Sequence, residues 1–172
     1  MLTFETPEKN AAYRLGGFAL FLATAVILAA LAFEHVGGLA PCPLCLMQRY
    51  AYYAAIPLLF VAMALVSEMP RIAALLFFLV ALAFLGNAGL GVYHAGAEWK
   101  FWPGPDTCGA AQALPTSASD LLSGLQQTRV VRCDEAAWTF AGLSMAGWNV
   151  IASLVIFALT GKAAIQSAST GD

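Results

Sequence analysis

The chain has 172 residues, 60% hydrophobic and only 10% charged, far from the roughly 45–50% apolar and 25% charged usage of soluble domains. With a mean hydropathy of +0.76, the composition is that of an integral membrane protein. A net charge of −2 gives no basic excess to neutralise phosphates, which excludes nucleic-acid binding on electrostatic grounds.

Apolar runs predict an all-α membrane protein, a bundle of four transmembrane helices at about 15–36, 43–66, 72–93 and 136–160, forming a single domain. In the first, Leu15–Phe33 carries no charge and would extend over roughly 29 Å as a helix, about the thickness of a bilayer's hydrocarbon core. Loop 37–42 follows. Leu39-Ala40-Pro41 before Cys42 resembles a lipoprotein signal, but proline next to the cysteine suits small-residue cleavage poorly. Pro43 fits the first position of the second helix, and Pro57 is expected to kink it. A short turn holding Arg71 leads to the third helix, which ends near His94.

The segment 94–135 is a long loop broken by Pro103, Pro105 and Pro115, and loops of this length are usually functional or mobile. Trp99, Phe101 and Trp102 suit the membrane interface, and Leu121, Leu122 and Leu125 could share one face of a short surface helix. In the spans, Asn87 and Asn149 are expected to bond across helices. Gly142 with Ala146, and Gly86 through Gly91, offer small faces for close packing, with no catalytic part for any of them. The tail 161–172 is expected to be mobile.

Four helices put both termini on one side of the membrane. Lys9, Arg14, Arg71 and Lys162 then face Arg49, Lys100, Arg129 and Arg132 across it, a tie that leaves orientation to the cysteines. Cys42, Cys45, Cys108 and Cys133 all fall on the other side, in two loops and outside the helices. Such clustering suits an oxidising compartment, so these loops are expected in the periplasm and both termini in the cytoplasm.

If Cys42 caps the helix that Pro43 begins, Cys42, Cys45 and Arg49 lie within roughly 60° of one another on the helix wheel. The helix N-terminus and a guanidinium a turn below would both favour a thiolate, the reactive species of disulfide exchange. Other readings are a structural disulfide and an arginine snorkelling from a helix end. A zinc site built from all four cysteines is disfavoured, because Cys108 and Cys133 are not closely spaced, and no metal is assigned. A Cys108–Cys133 disulfide would close most of the long loop and could contribute roughly 3–4 kcal/mol through chain entropy.

Four helices, a Cys-x-x-Cys opening the second with arginine four residues after its second cysteine, and a further cysteine pair in the loop after the third resemble the disulfide bond formation protein B (DsbB) family over about residues 13–162. Vitamin K epoxide reductase homologues also combine four helices with paired cysteines but carry the Cys-x-x-Cys on a late helix. The resemblance implies a protein-disulfide:quinone oxidoreductase of the bacterial inner membrane. A DsbA-like periplasmic dithiol oxidase would attack the Cys108–Cys133 disulfide at Cys108, and Cys133 would then exchange with Cys42. Cys45 would donate to a quinone, either ubiquinone or menaquinone, with a thiolate–quinone charge-transfer pair as one form. Arg49 would stabilise the developing negative charge. A two-electron acceptor dissolved in the membrane is a sensible sink, because closed-shell thiols react poorly with dioxygen. His94 is a candidate to line the quinone site or relay a proton, with Leu90 as an apolar wall and Met145 a further candidate. The alternatives are a membrane scaffold with structural disulfides and a haem protein using His35 and His94.

Overall fold

The computed structural model describes residues 7–105 and 133–170. Cys108, Leu121, Leu122 and Leu125 lie outside the described residues. Among the described residues, four helices are long and apolar enough to cross a membrane: α1 (Pro7–His35), α2 (Pro43–Leu65), α3 (Pro70–Glu98) and α4 (Met145–Ser169). Each packs beside its neighbour in sequence and α4 closes the ring against α1, which gives an up-down-up-down four-helix bundle.

Side-chain size is sorted inside out relative to a soluble bundle. The buried face of α1 is Ala12, Gly16, Ala19, Ala23 and Ile27, while Phe18 and Phe21 point outward. Small residues let helices approach closely where lipid gives no hydrophobic drive between them, and large apolar groups cover the surface that meets acyl chains. Phe77, Phe84, Leu59 and Ile156 fill the centre. Asn87 Nδ2 donates to Ser153 Oγ at 3.0 Å, the expected bond across α3 and α4. Gly91 permits that contact, since a Cβ there would lie 2.8 Å from Val150 Cγ2.

Several boundaries differ from the sequence reading. α1 begins at Pro7 rather than 15, because Glu8 in the first turn suits the positive helix end and the charged residues remain on its surface. Beyond α1, Gly38 adopts φ +66°, a left-handed turn that glycine allows without strain. α2 runs unbroken through Pro57. Cys45 lies inside its first turn, not in a loop. α3 continues to Glu98, placing His94 a full turn inside the helix.

The fourth helix starts at Met145 instead of 136. A two-stranded antiparallel hairpin, β1 (Thr139–Phe140) and β2 (Leu143–Ser144), precedes it, and Ser144 Oγ caps the helix by accepting from the Gly147 N–H at 3.2 Å. Ala141 and Gly142 turn the hairpin with φ +52° and +81°, the two left-handed residues of a type I′ turn. Gly142 therefore serves the turn and not a helix face. Far from ending at 160, α4 continues to Ser169, helped by Ser167 Oγ donating to Pro70 O at 2.9 Å, so the expected mobile tail is largely helical.

The end of α3 is pinned by Trp102. Its Nε1 donates to Tyr93 O at 2.8 Å, its ring stacks on Tyr93, and it covers Gly96 so closely that a Cβ would fall 2.0 Å from the indole. Gly96→Ala is expected to dislodge Trp102 and destabilise the fold by about 1–3 kcal/mol. A red-shifted tryptophan emission and a lower denaturation midpoint would report it; an unchanged midpoint would refute the close packing.

Candidate functional site

The site forms at the α2 N-terminus. Cys42 is the N-cap, with φ −75° and ψ 163°, and Pro43 pre-sets the first helical residue. Cys42 Sγ accepts from the Cys45 N–H at 3.1 Å and lies 2.6 Å from Cys45 Sγ. Both are thiols. Cys42 is buried, Cys45 partly exposed, and Cys133, itself disulfide-bonded, packs with Cys42 and Leu44 in one cluster. Lys100 Nζ steadies the Cys133 segment by donating to Asp134 O at 2.7 Å and Oδ2 at 2.8 Å.

Behind the dithiol stands a chain of side-chain hydrogen bonds from three helices. Tyr52 OH donates to Asn149 Oδ1 at 2.6 Å, Asn149 Nδ2 to Gln48 Oε1 at 2.6 Å, and Gln48 Nε2 to His94 Nδ1 at 3.0 Å. In this arrangement the neutral imidazole carries its proton on Nε2, which faces Cys42 Sγ at 3.6 Å. The Cys45 thiol beside it, the His94 ring and the Cys45 N–H all favour the Cys42 thiolate. Together they outweigh burial and hold its pKa down to about 5. His94 Nε2 also lies 3.7 Å from Glu98 Oε1, one turn on. Glu98 Oε2 is buried with no hydrogen-bond partner among the described residues.

Arg49 differs from the expectation that it would support the thiolate. Its Nη1 is paired with Glu34 Oε2 and its Nη2 donates to Ala30 O at 3.4 Å, so both bonds run to α1. A carboxylate on the facing helix is a stronger partner for a guanidinium than a thiol.

Cys42, Cys45, Arg49 and His94 open onto a largely apolar cavity of about 680 Å³ between the helix ends, which Met145 and Glu98 also line. Leu90, expected as one of its walls, instead packs against the cysteine cluster. Leu22, Val26, Ile27 and Phe33 of α1 supply much of the apolar lining.

The family model for disulfide bond formation protein DsbB matches residues 13–163. The chain belongs to the DsbB family. A Disulfide bond formation protein B from Herminiimonas arsenicoxydans is 46% identical over 145 residues, covering 81% of this chain and 87% of that protein. Proteins of the same name from Methylococcus capsulatus and Hahella chejuensis are 35% identical over 161 residues and 32% over 139. They cover 86% and 78% of this chain and 89% and 83% of their own lengths. No solved structure matches. This DsbB-family chain is thus a multi-pass membrane protein with a disulfide-forming oxidoreductase role.

Gln48, Tyr52, Glu34 and Glu98 were not singled out by the sequence reading. Gln48 and Tyr52 sit four residues apart in an apolar helix, a spacing that signals one polar stripe. Glu98 likewise follows His94 by four. Asn149, read only as helix packing, proves to be the bridge between Tyr52 and Gln48.

Proposed function

We propose that this DsbB-family chain reoxidises a DsbA-like periplasmic dithiol oxidase and passes the electrons to a membrane quinone, from the inner membrane with both termini cytoplasmic. The observation that carries the reading is Cys42, which packs against Cys133 on one side and opens, with Cys45, onto an apolar cavity on the other. The residues fit a quinone: the cavity has the volume of a small-molecule site, and its cysteines, Arg49 and His94 form a polar wall in an apolar pocket. A bound quinone would supply a two-electron, two-proton acceptor.

In this scheme a partner thiolate attacks Cys108, breaking the Cys108–Cys133 bond and releasing the Cys133 thiolate. The second partner thiol then displaces Cys108 and leaves as oxidised partner. Cys133 attacks Cys42, breaking the Cys42–Cys45 bond and freeing Cys45 as a thiolate facing the cavity. Cys108 next attacks Cys133 and re-forms the loop disulfide, with Cys42 leaving as the thiolate that His94 Nε2–H stabilises. Arg49, released from or shared with Glu34, holds negative charge developing in the cavity, and the apolar lining keeps water out.

The test is turnover by the lipid-reconstituted chain, supplied with a reduced thioredoxin-fold dithiol while ubiquinone or menaquinone analogues are followed by absorbance. One quinone should be consumed for each dithiol oxidised. If neither quinone is consumed and the partner stays reduced, the reading fails and a scaffold with inert disulfides replaces it. Arg49→Ala is expected to slow quinone consumption about 100-fold while leaving exchange with the partner dithiol unchanged. Equal losses in both would remove Arg49 from the quinone site.

A further inference from the structure

We propose that the reduced chain carries a capture site for one thiophilic divalent cation, Zn²⁺ being the fitting ion, built from Cys42 Sγ, Cys45 Sγ, His94 Nε2 and Glu98. Occupancy would lock both thiols out of disulfide exchange. Cys42, Cys45 and His94 present donor atoms all within 4.8 Å of one another. With ordinary Zn–S, Zn–N and Zn–O bonds, the edges of a tetrahedral site measure about 3.4–3.8 Å. Cys42 Sγ to His94 Nε2 is 3.6 Å and His94 Nε2 to Glu98 Oε1 is 3.7 Å, so two edges already match. The sulfurs, at 2.6 Å, must move apart by about 1 Å and the Glu98 carboxylate, which lies outside that close group, must turn toward them; Cys-x-x-Cys is an ordinary zinc-ligand spacing.

Glu98 supplies an independent pointer. A carboxylate oxygen buried without a partner is costly, and a cation beside the imidazole would satisfy it. Gln48 supplies the outer contact that metal-bound histidines usually have. Turning its carboxamide presents Oε1 to an Nδ1–H, which frees Nε2 to bind, while Asn149 and Tyr52 turn in concert. All four ligand residues line the cavity, so an entry path exists. Two thiolates, a carboxylate and a neutral imidazole suit a borderline-soft dication better than Mg²⁺ or Ca²⁺. Binding would release the one remaining thiol proton to solvent and would be absent from the disulfide form, whose sulfurs are no longer thiolates.

Nothing in this site depends on the quinone. The probe is Co²⁺ titrated anaerobically into the full chain in detergent, once with Cys42 and Cys45 reduced and once with them joined. The reduced chain should take up one Co²⁺ with intense visible bands of tetrahedral cobalt and a near-ultraviolet thiolate charge-transfer band, both displaced by one equivalent of Zn²⁺. Cys45→Ser should weaken the charge-transfer band, and Glu98→Gln should lower affinity at least ~10-fold. A weak octahedral spectrum, or equal uptake by the oxidised chain, would overturn the site, and this comparison needs no variant to fold. Unchanged affinity in Glu98→Gln would overturn the four-ligand assignment. Quinone turnover, measured separately in chelator-treated buffer, keeps failure of this site distinct from failure of the proposed reaction.

Discussion

Cys45→Ser is expected to abolish quinone reduction, a fall of more than ~1000-fold. With no Cys42–Cys45 disulfide to form, the Cys42 thiolate attacks Cys133 of the loop disulfide and releases Cys108 as a thiol, trapping the chain with Cys42 joined to Cys133. Cys42 is the buried N-cap in contact with the Cys133 cluster, whereas Cys45 sits in the first turn, partly exposed, on the wall of the cavity. Once Cys133 has exchanged with Cys42, Cys45 is the thiol left facing the cavity. Serine keeps the size and the hydrogen bond but cannot carry the electrons onward. Non-reducing peptide mapping would detect the Cys42–Cys133 bond, and quinone absorbance would report the lost turnover. Residual turnover above a few per cent would mean that electrons leave through another group and would sink the assignment of Cys45.

The second large effect concerns pH. Cys42 is held to about 5, first by the Cys45 thiol and then by His94. Since this lies below the ordinary thiol value, Cys42 is a thiolate at all pH values well above 5 and becomes protonated as pH falls through 5. The ultraviolet thiolate absorbance of the reduced chain, taken as the difference from Cys42→Ser, should therefore show its inflection near pH 5. His94→Gln removes the imidazole while retaining a polar side chain, and should move the inflection upward by ~1 unit or more. Discharge of Cys42 from a Cys42–Cys133 disulfide should slow in parallel, because a more basic thiolate leaves less readily. An inflection that stays put would leave His94 as a packing residue only.

Both effects arise from contacts spread very unevenly along the chain. Cys42, Pro43, Cys45 and Arg49 form a local pattern, and helix geometry alone assigns the cap, the first turn and the shared face. Four apolar runs likewise specify four spans, because a bilayer requires backbone polar groups to be satisfied within each helix and apolar side chains to cover it. The resemblance to the DsbB family rests on these same short-range features. Boundaries were less legible. Nothing local stops α1 at its charged residues, and α4 starts where Ser144 caps it after a hairpin that places Ala141 and Gly142 in left-handed conformations.

Partnership across helices could not be read from spacing at all. Arg49 has Glu34 fifteen positions upstream and His94 has Gln48 forty-six positions away, because α1 and α3 flank α2 in the ring. Asn149 joins Gln48 from 101 residues further along the chain. Composition and period establish which residues enter the membrane and which helix end carries the thiols, since both follow from local geometry and transfer free energy. Which polar groups meet there is set by packing, as Gly91 lets α3 close on α4 beside Asn149, which reaches Gln48 and through it His94.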